Sequence, residues 1–95
     1  MAKEIDPVER KISMVAAASE ALAYKKKNPG HDSDRVLQFI SRSVAVGKDE
    51  LTKIGMIAAA TDALTIVEKQ PALTEKDVLR KVMNNLPDIL SNISN

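Results

Sequence analysis

Residues 11–29 read KISMVAAASEALAYKKKNP and residues 53–71 read KIGMIAAATDALTIVEKQP, so one stretch is written twice at an offset of 42. Lys11, Ile12, Met14, Ala16, Ala17, Ala18, Ala21, Leu22, Lys27 and Pro29 recur as Lys53, Ile54, Met56, Ala58, Ala59, Ala60, Ala63, Leu64, Lys69 and Pro71. Val15/Ile57, Ser19/Thr61 and Glu20/Asp62 keep size and chemistry. The correspondence continues past the proline, where Val36-Leu37 falls on Val78-Leu79 and Ile40 on Val82. A chain written this way places two similar units against each other.

Each unit reads as a long helix, a proline turn and a shorter helix. In the first helix Val8, Ile12, Val15, Ser19 and Leu22 keep the three-four spacing of one helical face. Asp6-Pro7-Val8-Glu9 is a helix start, with an acceptor for free amides, a proline suited to the first turn and a Glu three residues after the cap. Helix 1 is expected over residues 7–26, stopped by Asn28-Pro29-Gly30, because a proline disfavours helical geometry in the residue before it. Asp32 or Ser33 caps helix 2 (34–46), whose stripe is Val36, Leu37, Ile40 and Val44 and whose end is a left-handed Gly47. Asp49 caps helix 3 (50–69), closed by Pro71. Thr74 to Asp77 resembles a capping box and opens helix 4 (75–86). Pro87 breaks the chain, and residues 88–93 form a short C-terminal helix.

The expected fold is all-α: a four-helix bundle of two tandem hairpins, repeat 1 over 6–47 and repeat 2 over 48–89, in one domain of 95 residues. A helical solenoid needs about three or more repeats. The period matches helical HEAT-type repeats in length alone and lacks the residue patterns of tetratricopeptide and ankyrin repeats. A helix–loop–helix calcium pair is excluded, because His31-Asp32-Ser33-Asp34 lacks the alternating ligands, central Gly and distal Glu, and Pro71-Ala72-Leu73-Thr74 has no carboxylate.

Three features carry candidate function. Ser13, Ala17 and Ala21, repeated as Gly55, Ala59 and Ala63, form strips of small side chains that let helix axes approach closely. The strips either pack helix 1 on helix 3 or form a subunit interface, with Ile66 beside them. Helix 3 is apolar nearly all round, which calls for cover on every side and favours a dimer. Phe39 and Val46 flank the helix 2 stripe at positions where the second repeat has Lys81 and Asp88, so they add an apolar patch. That patch is either covered by Ile89, Leu90 and Ile93 or left for a partner. The leading expectation is a non-enzymatic protein–protein interaction or assembly module, a homodimer or a binder of another protein, with Gly55, Ala59, Ala63, Ile66, Phe39 and Val46 as interface candidates.

The third feature is Lys25-Lys26-Lys27, where the second repeat has Val67-Glu68-Lys69. With Arg35, Arg42, Lys48 and His31 these lysines could make a basic corner for phosphate, which gives the alternative reading, a nucleic-acid-binding protein. Against it, cationic side chains also suit a helix C-terminus, and no aromatic interleaves the basic residues in the sequence to stack on bases. A helix-turn-helix reading fits poorly because the turns exceed its three or four residues. The net charge of +1 argues for no partner class: 6–47 carry seven basic and five acidic residues, 48–89 six and seven.

Catalysis has little to stand on. The chain has no Cys and one His, His31, so neither a multi-His zinc site nor a Cys–His pair can form, and no metal or cofactor is expected. Glu20 and Asp62 could share a proton if buried together, but carboxylates usually face water. No run reaches the roughly 18 apolar residues of a membrane span. The N-terminus shows no apolar signal core, and Lys48-Asp49-Glu50-Leu51 spells a retention signal read only at a C-terminus. A cytoplasmic setting is the expectation.

Overall fold

The computed structural model describes residues 7–94. They form α1 (Pro7–Lys27), α2 (Ser33–Phe39) continued by a π-helical turn over Ile40–Val44, α3 (Glu50–Lys69) and α4 (Glu75–Ser94), with no strand among the described residues. The starts of α2, α3 and α4 are set by the expected caps. The Asp32 carboxylate accepts from the Arg35 N–H at 3.0 Å, Asp49 from the Thr52 N–H at 3.4 Å, and Thr74 Oγ1 from the Asp77 N–H at 3.2 Å. The expected cap at Asp6 lies outside the described residues.

Two boundaries differ from the expectation. Helix 2 leaves α geometry after Phe39, and the Ala45 N–H bonds the Ile40 carbonyl at 2.9 Å, five residues back. A π turn takes in one extra residue. It keeps Val36 and Ile40 buried and turns Ala45 inward as well, leaving Val44 half-buried. The chain then reverses through Gly47, whose φ of 83° suits a residue without Cβ. Pro87 does not break helix 4. One helix runs through it to Ser94 in place of a helix and a separate C-terminal turn. Proline removes one backbone bond, but Pro87 lies at the surface, where water can reach the freed Met83 carbonyl. Half-buried Ile89 and Leu90, packed on the core, hold the last turns in place. Pro87→Ala is expected to raise stability by about 1–3 kcal/mol, read from the urea midpoint. A lowered midpoint would mean that the ring's packing outweighs the missing bond.

The helices form a bundle with a closed diagonal. Arg10, near the start of α1, donates from Nε to Thr52 Oγ1 at 3.1 Å and from Nη2 to Asp49 Oδ2 at 3.2 Å, at the start of α3. Ser33, just after α1 ends, donates to Glu68 Oε1 near the end of α3 at 3.3 Å. The two long helices are therefore parallel. Their facing surfaces are Met14, Ala17, Ala18, Ala21 and Leu22 against Thr52, Gly55, Met56, Ala59, Ala60, Ala63 and Leu64, all buried. A Cβ built on Gly55 would stand 3.0 Å from Met14 Sδ, so glycine is what admits that methionine. Because this diagonal closes, α2 and α4 are pushed to opposite flanks. Each packs on both long helices, and they do not touch each other. Val36 and Ile40 fill one flank, Val78, Val82 and Leu86 the other.

The helix 1 stripe is a correction. The large residues at three-four spacing do not all face the core: Val8 is 61% and Ile12 63% exposed, while Ala17, Ala18 and Ala21 are fully buried. The core face of α1 is the small one, because small side chains allow the α1–α3 contact that the rest of the bundle is built on.

Asp49 joins both long helices at their N-terminal end. Its carboxyl is held below the usual carboxylate range, first by the hydrogen bond with the Thr52 side chain, then by the Thr52 backbone N–H and the Arg10 guanidinium. A depressed folded-state pKa gives stability that is present above the unfolded value and lost as pH falls through the folded one. The stability difference between the wild type and Asp49→Asn, which keeps a capping oxygen, is expected to be largest near neutrality. It should shrink as pH falls through the lowered folded-state pKa of Asp49. Urea midpoints across that range measure it, and a difference constant with pH would remove the carboxylate from the account.

Candidate binding surfaces

Two surfaces stand out, and the sequence named neither as such. The first is an apolar groove of about 630 Å³ between α1 and the second half of α4. Val8, Ile12, Val15 and Ala16 form one wall and Met83, Leu86 and Pro87 the other, with Lys11 the one charged residue in the lining. Val8, Ile12 and Met83 are each more than half exposed.

A second groove lies on the opposite flank, between the π turn and α3. It is lined by Glu50, Lys53, Ile54, Ile57, Ala58 and Ser41. At the offset of 42 these are the counterparts of Val8, Lys11, Ile12, Val15, Ala16 and Met83. Four positions keep their chemistry, but Val8 answers to Glu50 and Met83 to Ser41. The α1/α4 groove therefore carries two large apolar side chains where its counterpart has a carboxylate and a hydroxyl.

The second surface is a cleft of about 310 Å³ on the α1/α2 side, lined by Tyr24, His31, Arg35, Gln38, Phe39, Arg42 and Ser43. Tyr24 and Phe39 stack with centroids 4.3 Å apart and ring planes 13° from parallel. Tyr24 Oη and His31 Nδ1 are 3.0 Å apart and share a hydrogen bond. The Lys25 ammonium donates to the carbonyls of His31 and Pro29 and pins the turn. The chain's one Tyr, one Phe and one His thus meet in a single place.

The sequence-derived interface candidates separate. Gly55, Ala59 and Ala63 are buried between α1 and α3 of one chain, and Ile66 is half-buried against the same core. Phe39 is covered by Tyr24, and α4, which carries Ile89, Leu90 and Ile93, does not reach α2. Val46 is 63% exposed in the turn before α3. The basic candidates also divide. Arg35 and Arg42 line the cleft and Lys25 braces it, with exposed Lys26 and Lys27 at the same end of α1. Lys48 lies at the other end of the bundle, beside Arg10, Asp49 and Thr52. Rings and basic side chains that lie apart along the chain are brought together in this cleft.

Glu20 is exposed, and Asp62 accepts from Asn85 Nδ2 at 2.9 Å, so the two carboxylates have separate surroundings. Among the described residues no cluster of three His, Asp or Glu is placed to hold a metal ion, and no helix is long and apolar enough to cross a membrane. Searches against protein families, curated proteins and solved structures find no match to this chain.

Proposed function

We propose that the chain is a non-enzymatic assembly module that self-associates through the α1/α4 groove. One observation carries the reading: Val8 and Met83 extend an apolar groove at positions where the counterpart groove has Glu50 and Ser41. A helical fold of this kind does not need those two side chains to be apolar, because its other flank closes without them. An exposed groove lined almost wholly by apolar groups takes an apolar ridge. The chain presents such a ridge itself, since Val8 and Ile12 stand one helical turn apart on the outer face of α1. Two copies related by a two-fold axis can each lay that ridge in the other's groove, an isologous contact that closes and does not propagate. A stable dimer buries roughly 1,600 Å² in all, so α1 and α4 would both take part along the groove's length.

The small-residue strip, the earlier basis for a dimer, supports this reading no longer, because it is used up inside one chain. Sedimentation at low micromolar concentration tests the proposal. A dimer is expected, and a monomer at every concentration up to the millimolar range would overturn it.

A further inference from the structure

We propose that the cleft between α1 and α2 is a binding site for a nucleoside phosphate unit, either free or as part of a single strand. The inference is separate from self-association and uses the opposite side of α1. It starts from what surrounds the cleft. Arg35 and Arg42 both line it, and neither guanidinium meets a carboxylate among the described residues. Asp32 turns its carboxylate to the Arg35 backbone N–H as a helix cap, and Asp34 lies on the Leu37–Ser41 side of the helix, away from the cleft. The lining therefore holds two fixed positive charges and no negative one.

Geometry adds to charge. Arg35, Gln38 and Phe39 fall at positions i, i+3 and i+4 on one face of α2, and the π turn that follows brings Arg42 to line the same cleft. Between the two arginines lie a primary amide and a ring already held by stacking on Tyr24. Arginine forks match the oxygens of a phosphate. Ring faces and guanidinium planes accept any nucleobase, and a glutamine amide can bond a base edge. The volume is at the small end of ligand sites, which suits one nucleotide and no more.

The other half of the chain supplies the comparison. Tyr24, His31, Arg35 and Phe39 have Ile66, Leu73, Asp77 and Lys81 as counterparts at the offset of 42. There the turn closes with aliphatic side chains and the arginine is replaced by an acid. The second half does carry Arg80 where the first has Gln38, but with no ring beside it, so two guanidinium groups beside stacked rings are particular to this cleft and point to a ligand.

The test is titration of the full chain with AMP, adenosine, inorganic phosphate and a short single-stranded oligoadenylate, followed by amide shifts and calorimetry at two salt concentrations. AMP is expected to bind at least tenfold tighter than adenosine or phosphate, with the shifts centred on residues 24–43. Arg35→Gln and Arg42→Gln are each expected to weaken it roughly tenfold or more. Both residues are exposed, so the thermal midpoint should stay put. Lys48→Gln, at the far end of the bundle, should change nothing. Tighter binding of the oligoadenylate than of AMP would support the site with a strand as its source. Equal affinity would support it with the free nucleotide. No binding of either at millimolar concentration, or binding untouched by both arginine substitutions, would overturn the proposal.

Discussion

Gly55→Val is expected to destabilise the chain by about 3 kcal/mol, seen as a large drop in the urea midpoint at unchanged slope. Two effects compete at this position. Removing a glycine from a helix interior gains up to about 1 kcal/mol of helix propensity, and less for a β-branched replacement. Against that, even a single Cβ would stand 3.0 Å from Met14 Sδ and 3.3 Å from Met14 Cγ and Cε. Met14 is fully buried, so its thioether has to shift within the core to make room. Valine adds two more methyl groups on the same line of approach, so α1 and α3 must separate along a contact lined by alanines. A domain of this size has roughly 5–15 kcal/mol in all, so the loss is a sizeable fraction. Gly55→Ala should come out near neutral or slightly unfavourable, as propensity and crowding offset each other.

The cause can be separated from general damage. Met14→Ala alone should cost about 2–5 kcal/mol through the cavity it leaves. Combined with Gly55→Val it should cost less than the sum by about 1–3 kcal/mol, because the valine fills space the methionine vacated. Strictly additive losses, or a Gly55→Val protein as stable as the wild type, would show that the α1–α3 approach is not what limits residue 55.

If the chain self-associates as proposed, Ile12→Glu is expected to weaken that association at least about 100-fold and leave a monomer. In the free chain Ile12 is 63% exposed, so the charge stays in water and the fold should lose no more than about 0.5 kcal/mol. In the proposed dimer the same side chain would enter an apolar groove whose lining holds one charged residue, Lys11. A two-fold contact repeats that desolvation cost in both copies. Ile54→Glu is the matched control. Ile54 is the counterpart of Ile12 and is 44% exposed, but its groove already holds Glu50 and Ser41. If both substitutions shift sedimentation equally, or neither does, the α1/α4 groove is not the contact.

Much of the local architecture was legible in the residues. Asp32, Asp49 and Thr74 each cap the helix they were expected to cap, since a side-chain acceptor next to free amides acts within three residues. Pro29, Gly47 and Pro71 end segments for equally local reasons. The candidate sites were legible only as ingredients. Tyr24, Phe39 and the two arginines lie up to 18 positions apart, and nothing in their spacing brings Tyr24 over Phe39 until α1 and α2 fold back on each other.

By itself the sequence determined an all-helical chain and where its helices begin, because capping, proline geometry and apolar period act over a few residues; the ends of α2 and α4 were not read correctly. Tertiary structure decided which face of each helix became the inside. Size pointed to Val8 and Ile12 as core, yet closeness of approach won: α1 and α3 meet through alanines and Gly55 with Met14, Leu22, Met56 and Leu64 among them, and Val8 and Ile12 are left lining a groove. The same contact carried α2 to one flank and α4 to the other. That placement produced both a basic, ring-lined cleft and an apolar groove from residues that no local rule connects.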